Sequence, residues 1–442
     1  MHTKPYIIIM GASNSCLPGG LRAGLSQDHV IYDNLSIGGS IASSKIYTIL
    51  KHKEKIKKAD LIILECNLAD VDRVIYEDIN LNECIRNTCW LYEELYKLNK
   101  KVLNLLLVNS KKNQVEVYIR NVHKYLCNKY GFNSIDMHDY YESKEILDFY
   151  ISHPDPVHQI HTIMYNLGKN IVDHLEYFKI PKKNIKLTNP KFYFLTPLEL
   201  HPNKKLKYIL RKHIIFQECE VYRVEKDIQL KFPNYFYNCI LIGIHTYIED
   251  LTIRNWMRKR QNYGSLVISN KNKTIVKSAA CFNTFLDIKE EFIIDEFSRI
   301  RFNNENLPIS ENSFMVAFKD NRSNTLDYVD ISAFLLADQN GKFDFSEEIA
   351  FIKNNDIFVD EEYDFSYLVP PVEDYKSAIE EYNFRMDPIK QAPLQNQINT
   401  LKTQISNLIQ EKQNLQNNFQ AQLNSIPIKK QHLELANLEQ DL

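Results

Sequence analysis

Tyr6-Ile7-Ile8-Ile9-Met10-Gly11-Ala12-Ser13-Asn14-Ser15 is the stretch that decides the fold of the N-terminal half. An uninterrupted apolar run of this length, closed by glycine, reads as a strand buried on both faces, because a strand with one wet face would alternate. Further apolar runs follow at 29–34, 60–66, 101–108 and 132–136. Between them lie helix-patterned segments such as 115–130, where Val115, Tyr118, Ile119, Val122, Tyr125 and Leu126 recur at helical spacing. This alternation predicts an α/β domain over residues 1–180, five parallel strands with helices on both faces. In such sheets ligands sit beyond the carboxyl ends of the strands, so the residues just after each run are the candidates for chemistry.

The chain has 442 residues, so more than one domain is expected. Hydrophobic residues make up 44% and charged residues 25%, the balance of a folded chain and not of a disordered one. Lys plus Arg (54) nearly cancel Asp plus Glu (56), which excludes a global field that would draw the chain to nucleic acid or an anionic membrane. Apolar runs such as 102–108 fall far short of the ~20 residues that cross a bilayer, so no membrane span is expected. The N-terminus leads at once into the first strand and shows no secretory signal pattern. The eight cysteines lack CxxC pairs or framework spacing, which suits reduced thiols in the cytoplasm.

From 185 to 375 the rhythm changes to strand-like runs at 206–216, 219–231, 236–246, 264–269, 274–280, 291–302, 313–319 and 327–336, predicting an all-β sandwich or jelly roll. Residues 338–374 hold eleven acidic side chains against Lys342 and Lys353 and read as a solvated connector. A helical coiled-coil tail is predicted over 388–442. Leu394, Ile398, Leu401, Ile405, Leu408, Leu415 and Phe419 form a heptad seam, broken at Lys412 and stopped at Pro427, with a second helical pattern over 428–442. The interrupted seam favours a weak homodimer or an internally docked helix over a tight coiled coil.

Ser13 falls at the strand-to-helix turn, where free backbone N–H groups favour developing negative charge; Gly-x-Ser alone also reads as ordinary turn and capping chemistry. The second run ends in Asn34-Leu35-Ser36-Ile37-Gly38-Gly39-Ser40, a turn whose backbone can approach a ligand. The third ends in Glu65-Cys66-Asn67, bringing an amide to the same edge. After the fifth comes His153-Pro154-Asp155-Pro156-Val157-His158. A serine hydroxyl needs a neutral imidazole to take its proton and a carboxylate to orient that imidazole, which Asp155 and His158 can supply. His161 lies one turn further on and is a second candidate base. Four potential ligands at 153–161 rarely converge on one ion, so no metal is expected.

This order of parts resembles the SGNH (GDSL-like) hydrolase superfamily over residues 5–178. The resemblance implies a five-stranded flavodoxin-like domain with Ser13 as nucleophile, His158 as base and Asp155 as orienting acid. Gly39 and Asn67 would be the oxyanion-hole donors. Ala12 stands where the first block usually has Asp, and Glu65 and Leu68 flank Asn67 where the third commonly reads Gly-x-Asn-Asp. The shared chemistry of the superfamily implies a serine-dependent acyl (acetyl) transferase or esterase. With an added sandwich and tail, the expected substrate is a bacterial surface-glycan precursor, with an activated group donor for a transferase. Two alternatives stand beside it: a phosphoryl-type transferase decorating capsular polysaccharide from a nucleotide-activated donor, and a non-catalytic glycan-binding scaffold. No phosphate-binding loop or dinucleotide turn is present, and no cofactor is expected.

Overall fold

A computed structural model describes residues 4–109, 113–151, 155, 157–211, 218–249, 255–318, 323–339 and 345–440, with side chains 426–431 left undescribed. The chain forms two compact units, Met1–Val372 and Glu373–Leu442.

The first unit opens with five parallel strands: β1 (Tyr6–Met10), β2 (Ile31–Asn34), β3 (Leu61–Leu64), β4 (Lys101–Leu106) and β5 (Asn133–Asp136). Their order is β2-β1-β3-β4-β5. That is the flavodoxin-like order, whose crevice lies where the chain turns outward in opposite directions from β1 and β3. Ile7, Ile8 and Ile9 are inaccessible to solvent, as a strand at the centre of a covered sheet requires. On one face, Ile8, Met10, Ile62, Leu64 and Val102 share a core with the helices Ala42–Lys51, Leu81–Lys97 and Gln114–Tyr130. Elsewhere the helix His161–Asp173 packs against the short helix Leu21–Leu25. Their backbones meet at Gly24 and Gly168, where a Cβ on Gly24 would stand 2.0 Å from the Tyr165 carbonyl oxygen. No side chain fits there, and the contact draws the segment preceding residue 161 down to the segment following Ser13.

Among the described residues eleven antiparallel strands follow: β6 (Phe192–Leu195), β7 (His201–Pro202), β8 (Lys207–Arg211), β9 (Cys219–Glu225), β10 (Gln229–Lys231), β11 (Ile240–Tyr247), β12 (Tyr263–Ser269), β13 (Thr274–Ala280), β14 (Asn283–Asp287), β15 (Arg299–Phe302) and β16 (Tyr328–Ala337). One sheet runs β14-β11-β16-β9-β8, with β6 also on β16; the other runs β13-β12-β15-β10-β7. They enclose one apolar core that includes Leu230, Leu241, Leu266, Ile300, Phe334 and Leu336. The second face of the first sheet, through Ile242, Phe285, Ala333 and Leu335, joins the core of the α/β layer. The layers are therefore parallel sheet, helices, antiparallel sheet, antiparallel sheet.

Three expectations are corrected. Residues 313–318 form no strand: their apolar character serves a small cluster in which Met315 and Val316 bury against Tyr263 and Ala280. The acidic stretch is not a solvated connector. Its helix Ser346–Asn354 packs on Gln114–Tyr130, Phe345, Ile352, Tyr363, Phe365 and Leu368 are buried, and the Phe365 N–H bonds the Ser134 carbonyl beside β5. The acidic residues lie between these buried anchors, which average charge conceals. The predicted stop at Pro427 also fails, because one helix runs Val372–Gln440. A proline removes one rung of the ladder, and strong helix formers on both sides sustain the rest. Along this unit Leu394, Ile398, Leu401, Ile405 and Leu408 are exposed.

A buried polar chain crosses from the α/β layer to the sandwich. The Asn283 side-chain oxygen accepts from His245 Nε2 at 2.6 Å, so His245 Nδ1 accepts from the Tyr47 hydroxyl, also at 2.6 Å. Burial, with Lys51 nearby, pushes the His245 pKa down to about 3. A histidine held neutral in this way contributes stability that is full above its ordinary value of ~6.5 and is lost as pH falls toward 3. Urea denaturation at pH 7 and pH 4.5 should therefore show wild type losing about 2 kcal/mol more on acidification than His245→Gln. Equal losses would contradict a neutral, interface-locking histidine.

Candidate active site

The carboxyl ends of β1, β3 and β4 are buried, and side chains complete the hydrogen bonding of their backbones. Ser36 Oγ accepts from the Gly11 N–H at 2.8 Å. Glu65, inaccessible to solvent, accepts through Oε2 from the Ala12 N–H at 2.8 Å and from the Ser15 N–H and hydroxyl at 3.3 and 3.0 Å. Asn34 Nδ2 donates to the Ser15 carbonyl. The turn that presents Ser13, first residue of the helix Ser13–Cys16, is thus held from three sides. Burial pushes the neighbouring Cys16 thiol up to about 12, which removes it as a competing nucleophile.

Asp155 Oδ2 bonds His158 Nδ1 at 2.9 Å, while Oδ1 accepts the Val157 and His158 N–H groups at 3.1 Å each. Partial burial acts to raise the Asp155 pKa, but these bonds outweigh it and hold the carboxyl below its usual value. The carboxylate therefore fixes a proton on Nδ1 and leaves His158 Nε2 the acceptor that a general base needs. Asn14 joins this segment to the serine turn: its Nδ2 donates to the Val157 carbonyl at 3.0 Å and its Oδ1 accepts from the Gln159 N–H at 2.9 Å. Gln159 in turn donates to the Val108 carbonyl beyond β4. Among the described residues Ser13 Oγ makes no hydrogen bond, to His158 or to any other group. Catalytic bonds of this kind often tighten only on substrate binding.

Gly39 has φ +61°, the left-handed region that favours glycine. Its carbonyl accepts from Arg73 Nε and Nη2 at 2.8 and 2.6 Å. Asn67, buried at the start of the helix Asn67–Ile75, forms a reciprocal pair with Leu107: Nδ2 donates to the carbonyl at 2.8 Å and Oδ1 accepts the N–H at 3.1 Å. One Nδ2 hydrogen remains outside that pair. His161 is exposed, and its Nδ1 lies 2.8 Å from where a Cβ on Gly19 would stand. His153 falls outside the described residues. Deeper in the domain, Cys66, Asp70 and His123 cluster, with Asp70 Oδ2 bonded to His123 Nε2 at 3.0 Å and His123 Nδ1 to the Tyr92 hydroxyl; this is a closed hydrogen-bond network.

Three residues of the site had no assigned part in the sequence reading: Asn14, Gln159 and Arg73. Asn14 sits beside Ser13 and offered a positional signal. The partners of the other two are set by folding, and Glu65, expected as a possible pocket charge, is bonded to the serine turn.

The N-terminal part of the chain is similar to solved structures of esterases and lipases. An acetylxylan esterase from Geobacillus stearothermophilus matches at 15% identity over 42% of this chain and 99% of its own, with a TM-score of 0.33. The acetyl xylan esterase AlAXEase matches at 17% identity over 38% of this chain and 96% of its own, with a TM-score of 0.31. A GDSL-like lipase from Parabacteroides merdae matches at 12% identity over 40% of this chain and 98% of its own, with a TM-score of 0.31. No family model and no curated protein matches the sequence.

If Asn14 holds the His158 segment in place, Asn14→Ala should speed amide exchange at 157–159 at least tenfold. Its melting temperature should fall by a few degrees, since one of the two bonds lost is buried and the other part-buried. Unchanged exchange at 157–159 would show that another contact fixes this segment.

Proposed function

We propose that this protein is a serine-dependent acyl-ester hydrolase or acyl transferase with Ser13 as nucleophile, His158 as general base and Asp155 as the acid that orients it. The observation that carries the reading is the Asn14 bridge. One residue from the nucleophile, it binds the backbone on both sides of a histidine already paired with a carboxylate. Oxyanion stabilisation falls to the Ser13 and Gly39 N–H groups and the remaining Nδ2 hydrogen of Asn67.

The acyl reading is favoured over phosphoryl transfer by Glu65. Its carboxylate occupies the Ala12 and Ser15 N–H groups, which would otherwise help cradle a phosphate. Esters of saccharides are the proposed substrates, a surface-glycan precursor first among them, with the fused sandwich widening the surface available to a large substrate. We place the protein in the cytoplasm, in keeping with eight free cysteines, seven of them buried. No helix among the described residues is long and apolar enough to cross a membrane. The exposed seam of the long helix is proposed to pair weakly with a second copy of the chain.

Hydrolysis of 4-nitrophenyl acetate and of mono-acetylated methyl pyranosides tests the chemistry. Ser13→Ala should abolish turnover with the fold intact. Asn67→Ala should lower kcat by ~10²–10³ with a smaller change in KM. Full activity in Ser13→Ala would reject the nucleophile, and nucleotide-donor transfer without ester turnover would favour phosphoryl chemistry. Sedimentation of the full chain beside a version ending at Pro393 should show a concentration-dependent mass only for the full chain; equal masses would reject pairing through the tail.

A further inference from the structure

The turn proposed to supply an oxyanion donor is gripped from the sandwich side. Arg73 lies in the helix that begins at Asn67 and is buried to all but 4%. Two of its nitrogens converge on the Gly39 carbonyl, and the third, Nη1, pairs with Asp78. Asp78 Oδ2 also accepts the N–H of Phe314, at 2.8 Å, and Phe314 belongs to the sandwich half of the chain. The Phe314 ring stacks on the guanidinium at 4.7 Å, and its Cε1 lies 3.6 Å from where a Cβ on Gly39 would stand. Arg260, also from the sandwich, donates to the Phe314 carbonyl at 3.0 Å. A few residues further on, Ser43 Oγ bonds Asp287 at the end of β14. The Gly39 turn has its own staples as well, Ser40 Oγ to the Ile37 carbonyl at 2.6 Å and Lys45 Nζ to the Ser40 carbonyl at 2.5 Å.

The burial of Arg73 needs a reason, since an arginine taken from water contributes stability only when every donor finds a good acceptor. Here a carboxylate neutralises it and a single backbone carbonyl takes its two-pronged grip. That carbonyl belongs to a residue with positive φ, a conformation that glycine adopts freely and leaves as freely. Fixing it is what the planar fork of arginine does and a lysine ammonium cannot.

We infer that Arg73, neutralised by Asp78 and covered by Phe314, is a positioning residue that locks the Gly39 turn in its donor geometry, so that the sandwich half completes the active site. The inference rests on the proposed hydrolase reading only for its effect on rate. The lock itself is a structural property with a readout of its own.

Arg73→Lys keeps the charge beside Asp78 and loses the fork. It should lower kcat for 4-nitrophenyl acetate at least tenfold with KM within threefold, and raise amide exchange of residues 37–41 while Glu65-held residues 12–15 exchange as in wild type. Phe314→Ala retains the backbone bond to Asp78 and removes the ring. It should show the same pattern more weakly, and it keeps the test open if Arg73→Lys folds poorly. Wild-type kcat together with wild-type exchange at 37–41 in both folded variants would overturn the inference. So would a fall in kcat with no local change in exchange, since the effect would then not pass through the turn. If wild type turns over no ester, the hydrolase reading fails, and exchange at 37–41 alone decides whether Arg73 holds the turn.

Discussion

A parallel sheet that ends inside a protein leaves backbone donors and acceptors with no strand beyond them, and the site of this molecule is built from the side chains that answer that need. Each buried N–H or carbonyl left unpaired would cost about 1–3 kcal/mol. Ser36 answers Gly11, Glu65 answers Ala12 and Ser15, Asn67 answers both groups of Leu107, and Gln159 answers Val108. Satisfying the strand ends therefore places polar side chains around the outlet of the sheet, where Ser13 stands. Structure and proposed chemistry draw on the same bonds, so a substitution such as Asn67→Ala affects both.

The layer order extends this dependence outward. The helices that cover one face of the parallel sheet are themselves covered by the sandwich, whose Phe194, His245 and Phe285 pack around Tyr47. Within Met1–Val372 the sandwich is part of a shared core, and two of its residues, Phe314 and Asp287, reach the segment that carries Gly39. A site assembled from both halves has one wall that the α/β half alone lacks.

Much of the α/β half was legible because fully apolar runs between amphipathic helices have few other solutions, and chain order puts the Gly11–Ser15 and Gly38–Gly39 segments just after β1 and β2, while Asp155–His158 follows β5 only after the helices Met137–Ser143 and Leu147–Ile151. The antiparallel class of the second half was legible for a different reason, that short strand-like runs follow one another there with little helical period between them. Its false strand over 313–318 was not, because a short apolar run that fills a hydrophobic pocket has the same composition as one that pairs in a sheet. The acidic stretch misled because averaging its charge concealed the aromatic anchors at 345, 363 and 365. Of the site, the identities of candidate groups could be read, but the partners of Glu65, Gln159 and Arg73 depend on contacts between distant segments. Asn14 acts across more than 140 residues of chain to hold Val157 and Gln159.

The central claim is that Ser13 is a nucleophile activated by His158, and it can be tested without knowing the substrate. The full chain is treated with a fluorophosphonate, and the modified peptide is identified by mass spectrometry, in wild type and in folded His158→Ala. The account predicts a single adduct on Ser13 in wild type, formed at least a hundredfold more slowly in the variant. An unmodified Ser13, or one modified at the same rate without His158, would contradict it.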